Sequence, residues 1–208
     1  MWWFLLWLIF AGVVLTFMGW SLNILLAQRK AWMAFADKYK LAVDKEGQGW
    51  ITPVFLRGAI QNRDINIYSQ NESEEGRRLS DVYTHIEVFL NTIPPAKCIL
   101  AKRALPRFLA DVSLPQKLEM SSSEWPKPSV AMTDDPIILA NWLTGQRLIA
   151  FKGFMDMAGR DDEPMLIADG EQAFLLWRTR NPLRDPRELN AVVQKLFGFA
   201  KEFDGTPK

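Results

Sequence analysis

The chain has 208 residues, with 25 Lys and Arg against 24 Asp and Glu and a formal net charge of +1. That balance excludes a general polyanion-binding role, because nucleic-acid-binding modules carry a basic surplus. A lone cysteine, Cys98, excludes an intramolecular disulfide framework and fits a reducing compartment, though it fits a periplasm too.

From Met1 to Gln28 there is no charged side chain. About 20 apolar residues, each rising about 1.5 Å, suffice to cross a bilayer core about 30 Å thick. Phe4, Leu5, Leu6, Leu8, Ile9, Phe10, Val13, Val14, Leu15 and Phe17 each favour insertion by roughly 0.3 to 0.6 kcal/mol. No central charge, which would cost about 3 kcal/mol, opposes them. Trp3 and Trp20 are 17 positions apart, about 26 Å along a helix. Trp2, Trp3 and Trp7 therefore fall at one interface and Trp20 at the other, where indoles prefer to sit. Arg29, Lys30 and Trp32 read as an anchor just beyond it.

A cleaved signal peptide needs a basic n-region, a short apolar stretch and a small-residue cleavage site. This n-region has no basic side chain, and Ala34-Phe35-Ala36 lies beyond Arg29 and Lys30. Residues 1–28 thus read as a retained transmembrane helix. Only the α-amino group precedes the span, whereas Arg29, Lys30, Lys38, Lys40 and Lys45 follow it. The Lys/Arg bias predicts a single-pass protein with its N-terminus outside and its C-terminal domain in the cytoplasm.

Residues 29–45 read as a juxtamembrane helix, in which Trp32, Phe35, Ala36 and Tyr39 share one face. It either lies on the bilayer or packs its aromatic face onto a sheet, and the second is preferred. "EGQG" at 46–49 should break it. Residues 46–208 form the soluble domain, of a size to bury one sizeable core.

"TPVFLRGAI" and "DINIYSQ" flank Gln61-Asn62-Arg63 as a β-hairpin. A charged loop, "NESEEGRRLS", leads to the long strand "DVYTHIEVFLN", with Val82, Thr84, Ile86, Val88 and Leu90 on one face. "AKCILAK" reads as its partner. Residues 104–130, with Pro106, Pro115, Pro126 and Pro128, read as irregular chain. Asp135 caps a helix that starts at Pro136, and Thr144 caps a second. "EPMLIADGEQAFLLWRT" is a hairpin turning at Asp169-Gly170. Asp185 and Glu188 form a capping box for a last helix striped with Leu189, Val192, Val193, Leu196, Ala200 and Phe203. Hairpin-linked strands with segregated helices predict an α+β fold: one transmembrane helix, then an antiparallel-sheet domain with packed helices. The order "DDPIILANWLTGQRLIAF" then "MLIADGEQAFLLW" resembles an uncharacterised family of bacterial membrane-anchored α+β proteins. The resemblance implies a bacterial, membrane-anchored protein and no particular activity.

The chemistry-bearing residues are few. His85, the one histidine, shares a strand face with Asp81, Tyr83 and Glu87, and pairs with Glu87 as acid and base or stands half-exposed. Cys98 alternates onto an apolar face, as a buried structural thiol does. Asp156, Asp161, Asp162 and Glu163 offer oxygens but lack the alternation of a calcium loop, so they read as a solvated turn. There is no Gly-rich phosphate loop, and no cofactor or metal is expected. Arg178, Arg180, Arg184 and Arg187 are candidate contacts to anionic lipid. The expectation is a non-enzymatic accessory or scaffold subunit, with the bilayer and a membrane protein as partners and no nucleic acid. The alternative is a membrane-tethered ligand- or lipid-binding sensor with a pocket between sheet and helices.

Overall fold

The computed structural model describes residues 2–44, 54–72, 81–102, 109, 116–117 and 130–205. Helix α1 (Trp2–Tyr39) leads into strands β1 (Ala42–Asp44), β2 (Phe55–Ile60), β3 (Arg63–Glu72), β4 (Asp81–Phe89), β5 (Cys98–Ala101), β6 (Gln116–Lys117) and β7 (Val130–Thr133). Helices α2 (Pro136–Trp142) and α3 (Gln146–Asp156) follow, then β8 (Asp162–Ala168), β9 (Ala173–Thr179) and α4 (Pro186–Asp204). The described strands make one nine-stranded sheet in the order β1-β2-β3-β4-β9-β8-β5-β7-β6. Every neighbouring pair is antiparallel. The fold is α+β, an N-terminal helix followed by an antiparallel sheet with packed helices, as the strand and helix patterns predict.

Helix α1 is 38 residues long, about 57 Å of unbroken helix. Between Trp2 and Leu26 none of its side chains is buried, and this stretch is long and apolar enough to cross a membrane. Gln28, Ala31, Trp32, Phe35 and Ala36 are buried. Their spacing of three and four residues is one helical face, and it packs on the sheet and α4. The juxtamembrane segment is therefore the last third of α1 itself. It stops at Tyr39, not at 45, because Lys40 turns left-handed (φ 56°) and the Leu41 N–H donates to the Ala36 carbonyl at 3.0 Å. That bond closes the helix end in a Schellman arrangement. "EGQG" lies outside the described residues.

The helices cover one face of the sheet. Trp32, Phe35, Phe151, Phe154, Phe197 and Phe203 are its largest fully buried side chains, and they meet Leu56, Ile67, Ile86, Leu100 and Leu175 from the strands. Burying each such side chain contributes roughly 1.5 to 3 kcal/mol, so this layer dominates domain stability. Gly58 leaves room for the Leu41 side chain just before β1: a Cβ there would lie 2.8 Å from Leu41 Cδ2.

Several local expectations change. Ile60 pairs with Arg63, so the first hairpin turns through two residues, Gln61 and Asn62, both at positive φ (53° and 62°). Such a turn matches the strand twist. Strand β4 pairs with β3 and β9, while β5 lies between β8 and β7, buried along its whole length. A short strand apolar on both faces suits the sheet interior. The second hairpin loop is four residues, Asp169–Gln172, because Ala168 pairs with Ala173. In it the Asp169 carboxylate accepts from the Glu171 and Gln172 amides at 2.9 and 2.8 Å.

Asp135 caps α2 through the Ile137 and Ile138 amides, both at 3.0 Å. Gly145, not Thr144, stands at the α3 cap, and the Thr144 hydroxyl donates to Asn141 O. Asp185 accepts from the Arg187 amide at 2.8 Å, but Glu188 is taken by the Asn181 side-chain amide at 2.7 Å. Most of 104–130 lies outside the described residues; Gln116–Lys117 pairs with β7.

Candidate functional site

Two features carry the chemistry of this fold. The first is a polar row across the sheet face turned away from the helices. Tyr68 on β3, His85 on β4, Arg178 on β9 and Glu163 on β8 are successive register partners. Alternation puts them opposite the core, since Ile67 and Ile86 beside them face the helices. Phe55 stacks on Tyr68 at 5.5 Å between centroids, and Tyr68 on His85 at 4.8 Å. Arg178 is ion-paired with Glu163, and its guanidinium lies 3.4 Å from the Tyr83 ring centroid. Arg180 donates to the Tyr83 hydroxyl through Nε at 3.2 Å and Nη2 at 3.1 Å. Glu87 accepts from the Asn66 amide at 2.8 Å and the Tyr68 hydroxyl at 2.7 Å.

His85 is buried, only 1% exposed, so the half-exposed reading is corrected. Burial, and after it the charge of Arg178, pulls its pKa down to about 4. Near neutral pH it is an uncharged aromatic in a stack, and Glu87 bonds to Asn66 and Tyr68. Alternation had put Tyr83, His85 and Glu87 on one face, and that grouping holds. Their partners Glu163 and Arg178 come from strands 78 and 93 positions beyond His85, which local pattern does not reach.

Cys98 is buried, and burial together with the Asp134 carboxylate pushes its thiol up to about 12. Such a thiol is not a nucleophile. In the acidic turn Asp162 accepts from the Gly159 amide at 2.9 Å, while Glu163 is committed to Arg178. Among the described residues no group of three or more His, Cys, Asp or Glu is placed to hold a metal ion.

The second feature is the end of the domain from which α1 emerges. Gln28 Nε2 donates to Ser69 Oγ at 3.0 Å, which ties the helix to one end of β3. Ser69, Thr84, Thr179 and Asp162 are register partners across β3, β4, β9 and β8. The chain past Thr179, with Arg180, Arg184 and Arg187, therefore gathers at this end.

The expected interface residues divide. Trp2, Trp3, Trp7 and Trp20 are 82, 84, 66 and 68% exposed on the free part of α1, and Arg29 and Lys30 are exposed where it meets the domain. Trp32 is corrected: at 1% exposed it is a core residue. An indole suits a bilayer interface and a protein core equally, so residue type alone does not separate them. Arg178 is corrected too, because it is buried against Glu163 and Tyr83 and turned from the surface. Arg180, Arg184 and Arg187 are exposed.

Together these features define a two-layer α+β domain carried on a long apolar helix. No family model matches the chain. No curated protein matches it either. Among solved structures the chain is similar to the crystal structure of the mycobacterial trehalose monomycolate transport factor A, TtfA, at 10% identity and a TM-score of 0.48, over 88% of this chain and 98% of that one.

Proposed function

We propose that this protein is a single-pass, membrane-anchored accessory or scaffold subunit that presents its α+β domain to protein partners at the cytoplasmic face of a bacterial inner membrane. One observation carries the reading. The same helix is exposed and apolar from Trp2 to Leu26 and is part of the domain core from Gln28 to Ala36. Anchor and domain share one continuous helix, which would set the height and orientation at which partners meet the domain.

The buried part of α1 also argues against a cleaved leader. Ala34-Phe35-Ala36 is helical, with Phe35 and Ala36 each 1% exposed, and cutting there would strip Trp32 and Phe35 from the core. The cytoplasmic placement draws on Arg29, Lys30, Lys38, Lys40 and Lys45 following the span. A non-enzymatic role draws support from the neutral, stacked His85 and the inert Cys98 thiol.

The test is native purification in mild detergent from carbonate-washed membranes. A scaffold stays in the pellet after the wash and elutes with a defined set of membrane proteins. Elution as a lone monomer across several mild detergents would remove the scaffold role.

A further inference from the structure

We propose that the end of the domain from which α1 emerges is a membrane-contact surface, where Lys30, Arg180, Arg184 and Arg187 engage the headgroups of anionic lipids. The inference deepens the membrane-anchor reading and rests on it. Its first support is height. The exposed apolar run of α1 ends at Leu26, and Gln28 is already bonded to Ser69 at the sheet end. Two residues of helix are about 3 Å. A headgroup layer is about 5 to 7 Å deep on each side of the hydrocarbon core. No spacer separates domain from lipid, so this end begins inside the headgroup layer.

The second support is charge. Arg180 directly follows β9, Arg184 lies on the connection to α4 and Arg187 in its first turn, all exposed, as is Lys30. Several of the described carboxylates at this end are bonded within the domain. Asp185 caps α4, Glu188 accepts from Asn181, Asp162 from the Gly159 amide, and Glu163 pairs with Arg178. Among the described residues Asp161, Asp185 and Glu188 are exposed here, and the hydrogen bonds to the last two leave them charged. With Arg160 also exposed, the described cations outnumber these carboxylates, although Arg180 also donates to the Tyr83 hydroxyl, and anionic leaflets attract such clusters. Arg178, buried in its own ion pair, takes no part.

The experiment places the full-length chain in nanodiscs of phosphatidylcholine, with or without phosphatidylglycerol, doped with headgroup-nitroxide lipid. Backbone amide broadening is compared between Arg180, Arg184 and Arg187 and the turns at the other end of the sheet, Asn62 and Gly170. We expect several-fold stronger broadening at the arginines, increased by phosphatidylglycerol and lost in both R180E/R184E/R187E and R180Q/R184Q/R187Q. Equal broadening at the two ends, or indifference to lipid charge and to both variants, overturns the contact surface while leaving the anchor intact. Failure of the chain to enter nanodiscs at all overturns the anchor and the surface together.

Discussion

Gln28 and Ser69 lie 41 positions apart and are joined by a 3.0 Å hydrogen bond between the opening helix and the end of a central strand. Below that bond α1 stops being a free rod and becomes part of the core. Lys38 and Tyr39 then both donate to Asn190 of α4, at 3.2 and 2.5 Å. Phe35 sits between these ties, fully buried. Truncating a buried aromatic costs about 3 to 5 kcal/mol. Phe35→Ala should therefore lower domain stability by about that amount in urea titrations of the detergent-solubilised protein, whereas exposed Phe10→Ala should leave it unchanged. Equal effects would mean that α1 is not built into the domain.

His85 makes stability depend on pH. Its folded pKa is about 4 against an ordinary 6.5. As pH falls below 6.5 the unfolded chain takes up the proton first, so this contribution is lost between about 6.5 and about 4 and then levels off. The full loss is on the order of 3 kcal/mol. Urea midpoints should drop from pH 7 to pH 5, and His85→Phe, which keeps a ring beside Tyr68, should flatten that slope. An unchanged slope in the variant would place the pH dependence elsewhere.

The Arg178–Glu163 pair is half-hidden, with side-chain exposures of 6 and 28%. Breaking such a pair leaves a charge short of solvent and partner alike. Arg178→Met should cost about 2 kcal/mol or more, and adding Glu163→Gln should recover part of it. A double variant whose loss is the simple sum of the two single losses would show that the pair is not coupled.

Cys98 should resist alkylation. With its thiol at about 12 and no exposed surface, maleimide labelling of the native protein should proceed only as fast as the domain opens. Urea should speed it sharply. Rapid labelling without denaturant would contradict the buried placement.

Much of the fold was legible because its signals are local. Asp135-Pro136 and Asp185-Pro186 start their helices as capping chemistry requires. The alternation from Val82 to Leu90 found the inward face of β4, with Thr84, Ile86, Val88 and Leu90 buried. What local pattern did not show depends on distant neighbours. Strand β5 pairs with β8 and β7 across loops of very different length, and no short-range rule selects them. His85 read as half-exposed because Arg178 and Glu163, which lie beside it on that face, come from the other half of the domain. Trp32 read as an interface anchor by analogy with Trp20, and only packing separates the two.

Anchor and domain share one unbroken helix, and a distance measures it. Spin labels at Leu8 and Lys38, in protein reconstituted into lipid, are separated by 30 helical residues, about 45 Å. Both positions are exposed, and buried Cys98 should stay unlabelled. A narrow distribution centred near about 45 Å is the predicted result. A broad distribution, or one centred much shorter, would mean a hinge between span and domain and would contradict the account.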